Sequence, residues 1–455
     1  MKLNKVLSWL FVGLMAISAS MLTSCEDQPD KFELTGGVPT VNYIRMPYLS
    51  QADSLLDKAS LSSVICLVGN NLTSIKELYF NDQKAQLNTS YITDHALIVQ
   101  IPATIPADVT DKIYMVTRDG EKVDYDFHVV VPAPNPTSMS CEYAKPGSEV
   151  TFYGNYFVDD PNVPLKVTCP DGTEVTEFKS VTQSAISFIL PESCNTEGAF
   201  KMETVYGESE TPFHYLDSRG MLFDFDTPWD GTAVLGNHGW HERTIKSDDT
   251  SLKGNYMQLG DGTAKLDDSS WGDGDFAFQY WAGSWDTPQN ITSGDGVALY
   301  NVADFTHFKD MSLKFEMCIP NSNPWSACAM QLLFQGFDQI SISGNPIDGF
   351  DGTVAAANNS GFNGEGKNKE HEFGRAMYKP WAATGSYDTG GKWITVTIPL
   401  SSFNLTKTGA ASTYLPSKPE DFASFTMFVN GTGGTKGTEC KPIIKIDNIR
   451  VVPNK

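Results

Sequence analysis

The sequence predicts an all-β chain: two small β-sandwiches in tandem, then one larger β-sandwich of jelly-roll type. Three observations carry this expectation. Apolar runs are short and alternate with polar residues, as half-buried strands require, and helical periodicity of useful length is absent. A pattern with a period of about 86 residues occurs twice in the first half of the chain. Every tryptophan except Trp9 lies beyond that repeat.

The N-terminus reads as an address. Lys2 and Lys5 form a positive start, and Trp9 to Met21 form an apolar stretch too short to span a bilayer. The stretch ends Leu22-Thr23-Ser24-Cys25, which resembles the bacterial lipobox, where the chain is cut before the cysteine and the thiol is acylated. Cys25 is therefore the expected lipid anchor, with residues 1–24 as signal peptide and 25–37 as an acidic linker. The residues Glu26-Asp27-Gln28-Pro29-Asp30 resemble the acidic surface-export signal of Bacteroidota lipoproteins. A plain secretory signal and a periplasm-facing lipoprotein are the alternatives.

The repeat fills 38–131 and 132–217. Ile65-Cys66-Leu67-Val68-Gly69-Asn70 returns as Val150-Thr151-Phe152-Tyr153-Gly154-Asn155; Pro102 returns as Pro191 and Gly120 as Gly207. The Gly-Asn pairs suit turns that need positive φ. These units resemble the immunoglobulin-like IPT/TIG domains. That resemblance implies the fold and leaves open whether such units are spacers, dimerisation modules or ligand binders; the absence of tryptophan and of a carboxylate cluster from both units favours rigid spacers. Pro132, Pro134 and Pro136 are expected to stiffen the joint.

The third part, 218–455, is expected to be a single large sandwich with long Gly/Asn/Asp-rich loops. The whole fold class is thus all-β, tandem immunoglobulin-like β-sandwiches followed by a larger jelly-roll β-sandwich. Seven cysteines remain after Cys25, and Cys318 with Cys328 is the expected disulfide if one forms.

Composition narrows the function. Against 33 Lys+Arg stand 55 Asp+Glu, a net charge of −22, which argues against nucleic acid and anionic surfaces but leaves a neutral ligand unaffected. Tryptophans beside loop formers, Trp240, Trp271, Trp285 and Trp325, suit a sugar, whose C–H face stacks on an indole while its hydroxyls take hydrogen bonds. Roughly 80 Å² buried per ring gives about 2 kcal/mol each. Core packing is the competing use of any one of them, and Trp393, in an alternating strand, is expected to be core. In Phe276-Ala277-Phe278-Gln279-Tyr280-Trp281 alternation puts Phe276, Phe278 and Tyr280 on the core side and Trp281 outward.

Here the chain resembles a second family. Phe223-Asp224-Phe225-Asp226, Gly239-Trp240-His241-Glu242-Arg243, Gly254-Asn255-Tyr256-Met257-Gln258-Leu259, Gln279-Tyr280-Trp281-Ala282-Gly283 and Ile446-Asp447-Asn448-Ile449 look like the C-terminal domain of Bacteroidota surface glycan-binding proteins of the second type. The resemblance implies a lipid-anchored outer-membrane protein on the cell surface, part of a polysaccharide-utilisation system and working beside a glycan import complex. It implies a xyloglucan or related β-glucan ligand and a flat aromatic platform carried by Tyr280, Trp281 and Trp240. Trp285 joins them by proximity.

No cofactor is expected. Paired catalytic carboxylates, nucleophile elbows and zinc or phosphate motifs are absent from the sequence, so a non-catalytic binder is expected. Asp267-Asp268 and Asp273-Gly274-Asp275 admit a structural Ca²⁺, with turn chemistry as the plainer explanation. The rival readings are an endo-acting glycoside hydrolase on the same sandwich and a protein-binding adhesin.

Overall fold

The computed structural model describes residues 34, 36–227, 244–267, 274–280, 282, 296–335, 372–431 and 437–454. Its elements are strands joined by loops and three-residue 3-10 turns. Contacts divide the chain into two compact units, one ending at Pro132 and the other beginning at Ala133.

In the first unit, the strands Thr40–Arg45, Val64–Asn70 and Ala96–Gln100 form one sheet. Gln83–Lys84, Ile75–Phe80, Lys112–Thr117 and Lys122–Asp126 form the other. Alternation decides which side chains go inward: Ile65, Leu67, Leu78, Phe80, Ile113 and Met115 meet in the core. The glycine of the repeated Gly-Asn pair has a different purpose from the expected turn. Positive φ falls two residues later, at Asn71 (56°) and, in the second repeat, Tyr156 (62°). Gly69 and Gly154 sit within strands where the neighbouring backbone comes close. A Cβ on Gly69 would lie 1.7 Å from the Thr40 carbonyl oxygen, and one on Gly154 2.2 Å from that of Asn135. Both neighbouring strands shift register beside these contacts, at Val41/Tyr43 and Pro136/Ser138, so each glycine admits the same local irregularity.

The second unit holds two sandwiches. The smaller pairs Asn135–Met139, Glu149–Asn155, Ala185–Ile189 and Phe178–Val181 against Lys166–Thr168, Lys201–Thr204 and Gly207–Glu210. Its core is aromatic: Phe188, Phe200 and Phe213 each meet Phe152 edge-on at 4.9–5.2 Å. Pro136 lies inside a strand rather than in a free joint.

The larger sandwich has a six-stranded sheet in which Ile444–Pro453 is central, flanked by Tyr256–Leu259 and Met311–Cys318 and also paired with Met221–Phe223. Facing it is the four-stranded sheet Ala277–Tyr280, Ser424–Asn430, Ala329–Gln335 and Arg375–Tyr378. Every strand pair in both sheets is antiparallel. The expected Cys318–Cys328 bridge is not made. Cys318 ends a strand of the six-stranded sheet whereas Cys328 precedes the strand Ala329–Gln335 of the other, and their thiols point to different carbonyls, Gly391 at 3.3 Å and Asp267 at 2.9 Å.

Buried charge joins the two sandwiches of this unit. Arg450, fully buried on the central strand, donates to Glu316 of its own sandwich at 2.8 Å and to Glu142 of the smaller one at 2.7 Å. Lys314 reaches Glu142 at 2.5 Å, and Thr395 bridges the Glu142 amide and the Glu316 carboxylate. Burial works against the Arg450 charge, but Glu316 and Glu142 outweigh it and hold the guanidinium above its ordinary value. Burial also pushes the Glu316 carboxyl up against the pull of Arg450. Trp393 adds a packed seam: its ring meets Tyr256 at 5.7 Å, it packs on the smaller sandwich's core, and its indole N–H donates to Thr250.

Candidate functional site

Three tryptophans of the large sandwich lie among the described residues, and each has a structural role. The Trp325 N–H donates to the Ala327 carbonyl at 2.6 Å, and the Trp381 N–H to that of Cys328 at 2.9 Å, both rings being buried. Trp325 therefore leaves the set of loop tryptophans open to a ligand. Trp393 is half-buried at the seam described above. Trp229, Trp240, Trp271, Trp281 and Trp285 lie outside the described residues, as does Cys25.

Tyr280 corrects the platform drawn from the sequence. Its ring is 2% exposed and packs 5.4 Å from Phe223 in the core beside Phe278, and its hydroxyl donates to the Val297 carbonyl at 2.7 Å. Alternation along Ala277–Tyr280 sends it to the core side, and a ring so enclosed has no face to offer a sugar. It acts instead as an anchor. Two residues on, the Ala282 amide donates to the Ser424 hydroxyl at 2.8 Å.

Val297 links this strand end to a cavity. A cleft of 1190 Å³ opens where the two sandwiches of the second unit meet. Val297, which follows the segment bearing Trp285, lines it, and so does Thr227, which precedes the segment bearing Trp229 and Trp240. The described ends of two tryptophan-bearing segments thus lie at one cleft.

The Phe223-Asp224-Phe225-Asp226 motif builds part of its wall. Both phenylalanines are buried, while Asp224 and Asp226 line the cleft. Asp224 accepts from the Asp226 and Thr227 amides at 3.0 and 2.7 Å, and Asp226 from the Asn255 amide at 2.7 Å. Gly254 (φ 65°) is required here, because a Cβ would fall 2.2 Å from an Asp226 oxygen. The Ile446-Asp447-Asn448-Ile449 motif lies on the adjoining strand. Its isoleucines enter the core, and Asn448, in the left-handed region at φ 48°, lines the cleft.

Asp447 is 1% exposed and sits directly opposite Glu316 in the strand register. Burial first, then the charges of Glu316, Asp226 and Asp224, push its carboxyl up to about 9, with the Asn448 amide pulling weakly the other way. The folded chain therefore holds a proton that the unfolded chain releases near pH 4. Unfolding gives up that proton between those values, so this group's contribution to stability falls by about 1.4 kcal/mol per pH unit as pH rises from roughly 4 to 9. Asp447→Asn is expected to flatten that slope and to raise the melting temperature at pH 8 more than at pH 5. Calorimetry across the range checks it, and equal shifts at both values would refute it.

Sequence reasoning gave the second repeat no part in a site, yet Lys145, Glu192 and Asn195 line the cleft. No motif marks them; only the fold brings them to Asp226 and Asn448. Among the described residues, Glu197, His214 and Asp217 bring ligand atoms within 4.8 Å of one another. Protein groups already engage two of them: Arg219 pairs with Asp217 at 2.8 Å and Ser218 donates to Glu197 at 2.6 Å. Of the acidic run considered for Ca²⁺, Asp268 and Asp273 lie outside the described residues, and Asp267 pairs with Lys265 at 3.3 Å.

Comparison with known proteins bears directly on this domain. The family described as surface glycan-binding protein B xyloglucan-binding domain matches residues 215–453. A solved surface glycan-binding protein B from Prevotella bryantii is 46% identical, covering 93% of this chain and 100% of that one with a TM-score of 0.80. An IPT/TIG domain-containing protein of Bacteroides ovatus is 27% identical over 217 residues, 44% of this chain and 43% of that protein, so the match spans less than half of that relative's length. With over half of its length inside the family match and its fold shared along nearly all of a solved member, the chain belongs to the surface glycan-binding protein B family, whose members hold glycans at the cell surface without cleaving them.

Proposed function

We propose that this chain captures a neutral β-glucan, xyloglucan or a close relative, on an aromatic platform of Trp240, Trp281 and Trp285, and presents it for uptake. The observation that carries the reading is that Thr227 and Val297, which flank two tryptophan-bearing segments of the domain matched as xyloglucan-binding, line one cleft. Tyr280 is the buried peg that ties this strand end to Val297. Alternation past Tyr280 assigns Trp281 to the opposite side, that of Gln279. A net charge of −22 suits an uncharged ligand. Acylated Cys25 would tether the protein to the outer membrane, with the immunoglobulin-like sandwiches lying in the chain between that anchor and the third sandwich. Its partner there would be an outer-membrane glycan import complex.

The test is affinity electrophoresis of the mature chain against a polysaccharide panel, with a reducing-end assay on the same mixtures. Xyloglucan is expected to retard the protein, with a dissociation constant on the order of micromolar to millimolar and no new reducing ends. Migration unchanged by xyloglucan and by other β-glucans would overturn the ligand assignment. New reducing ends would favour the hydrolase.

A further inference from the structure

We propose that the second immunoglobulin-like sandwich is part of the glycan-binding head, forming one wall of a subsite for side-branch sugars in the cleft it shares with the third. This deepens the function proposed above and rests on it. Three observations lead there.

The junction is built to be rigid. A spacer needs only a stiff covalent joint, yet here Glu142 of the second sandwich enters a fully buried cluster with Arg450 and Glu316 of the third. Charges removed from water in this way tolerate little change of geometry, because each must keep its partners. The two sandwiches also fall in one compact unit, separate from the first. The relation between the cleft's walls is therefore fixed before any ligand arrives, which is the condition for preorganised binding.

The junction also stops short of closing. The 1190 Å³ left open exceeds the roughly 300–1,000 Å³ of ordinary small-ligand pockets and suits an oligosaccharide. Its lining has the mixed character that sugars need. Val302 and Met221 supply apolar surface for C–H faces, while Lys145 and Asn195 belong to one sandwich's wall and Asp226 and Asn448 to the other's. The Lys145 and Asn195 side chains are exposed and make no hydrogen bond or ion pair among the described residues. Three carboxylates (Glu192, Asp224, Asp226) against two lysines (Lys145, Lys253) offer donors and acceptors of both charge signs, which fits hydroxyl groups better than it fits an ion.

Position supplies the third argument. Thr227 and Val297 belong to the lining and flank the tryptophan-bearing segments. On the function proposed above, the tryptophans between these flanks would hold the main chain, and the cleft that the flanks line would take the branches.

The experiment uses the mature full-length chain and calorimetric titration with two ligands of equal backbone length, a xylose-branched gluco-oligosaccharide and its unbranched counterpart. Lys145→Ala/Asn195→Ala alters only exposed side chains away from the buried cluster, and an unchanged melting temperature will confirm its fold. It is expected to weaken the branched ligand roughly tenfold, about 1.4 kcal/mol, and leave the unbranched one unaltered. Trp281→Ala is expected to weaken both. If the double variant binds both ligands like the parent while Trp281→Ala loses both, the cleft proposal is overturned and the platform stands. If Trp281→Ala keeps both ligands, the platform fails, and the double variant then decides the cleft separately. Equal loss of both ligands in the double variant would overturn the branch assignment.

Discussion

Trp281→Ala is expected to lower glycan affinity by at least thirtyfold, enough to abolish retardation in a polysaccharide gel. A sugar ring stacked on an indole removes roughly 80 Å² of apolar surface from water, worth about 2 kcal/mol, which is that factor. Hydrogen bonds oriented by the stacked ring would be lost with it, so the measured effect should be larger. Tyr280→Phe is the internal control, because it keeps the ring in the core and removes only the hydroxyl that donates to Val297. It should cost about 1 kcal/mol of stability and change affinity only as far as Val297 moves. If Tyr280→Phe abolished binding and Trp281→Ala did not, the tyrosine would be the contact and the reading of this strand would be inverted. A protein-binding adhesin would show Trp281→Ala without effect on its partner.

The same dipeptide shows how far the sequence could be read. Alternation placed Phe276, Phe278 and Tyr280 on one side, and all three enter the core. The resemblance to a family platform then drew Tyr280 outward, against that alternation, and the local pattern was the better guide. Trp325 and Trp381 lie beside loop formers, as a ligand-binding tryptophan would, yet each N–H is satisfied by a backbone carbonyl two residues away in one case and 53 away in the other. The Trp381 pairing leaves no mark in a local window, and the Trp325 partner, though near in sequence, is a backbone carbonyl that no residue pattern marks. The repeat and the all-β class were legible because period-two alternation and recurring glycines are local properties. The reason for Gly69 and Gly154 was not, because it depends on the approach of another strand. The cleft was wholly hidden, since its walls come from residues scattered from Tyr143 to Asn448.

Arg450→Met is expected to destabilise the second unit by about 3–5 kcal/mol, the largest single effect on folding, by leaving the buried Glu316 without its cation and Glu142 with Lys314 alone. Glu316 is fully buried, with Asp447 directly opposite, so the loss of Arg450 leaves it no way to stay charged except through Thr395. It will take up a proton, and the pH dependence follows from that. The variant's folded-state Glu316 holds its proton well above the unfolded value, so its stability falls as pH rises through the neutral range. The deficit relative to the parent should accordingly be smaller at pH 5 than at pH 8. Removing Glu142, Glu316, Arg450 and Lys314 together in favour of apolar side chains of similar volume should recover much of the loss, because no member of the cluster is then left charged without a partner. Scanning calorimetry separates the role of the cluster in coupling from its role in stability. The parent should unfold its second and third sandwiches in one transition, and Arg450→Met should split that transition in two, since the ion cluster and the Trp393 seam are what bind them together. A single transition merely shifted downward would mean that the seam suffices and the buried charges only set the alignment. In that event the cleft's rigidity would rest on Trp393, and Trp393→Ala would be the variant that loosens it.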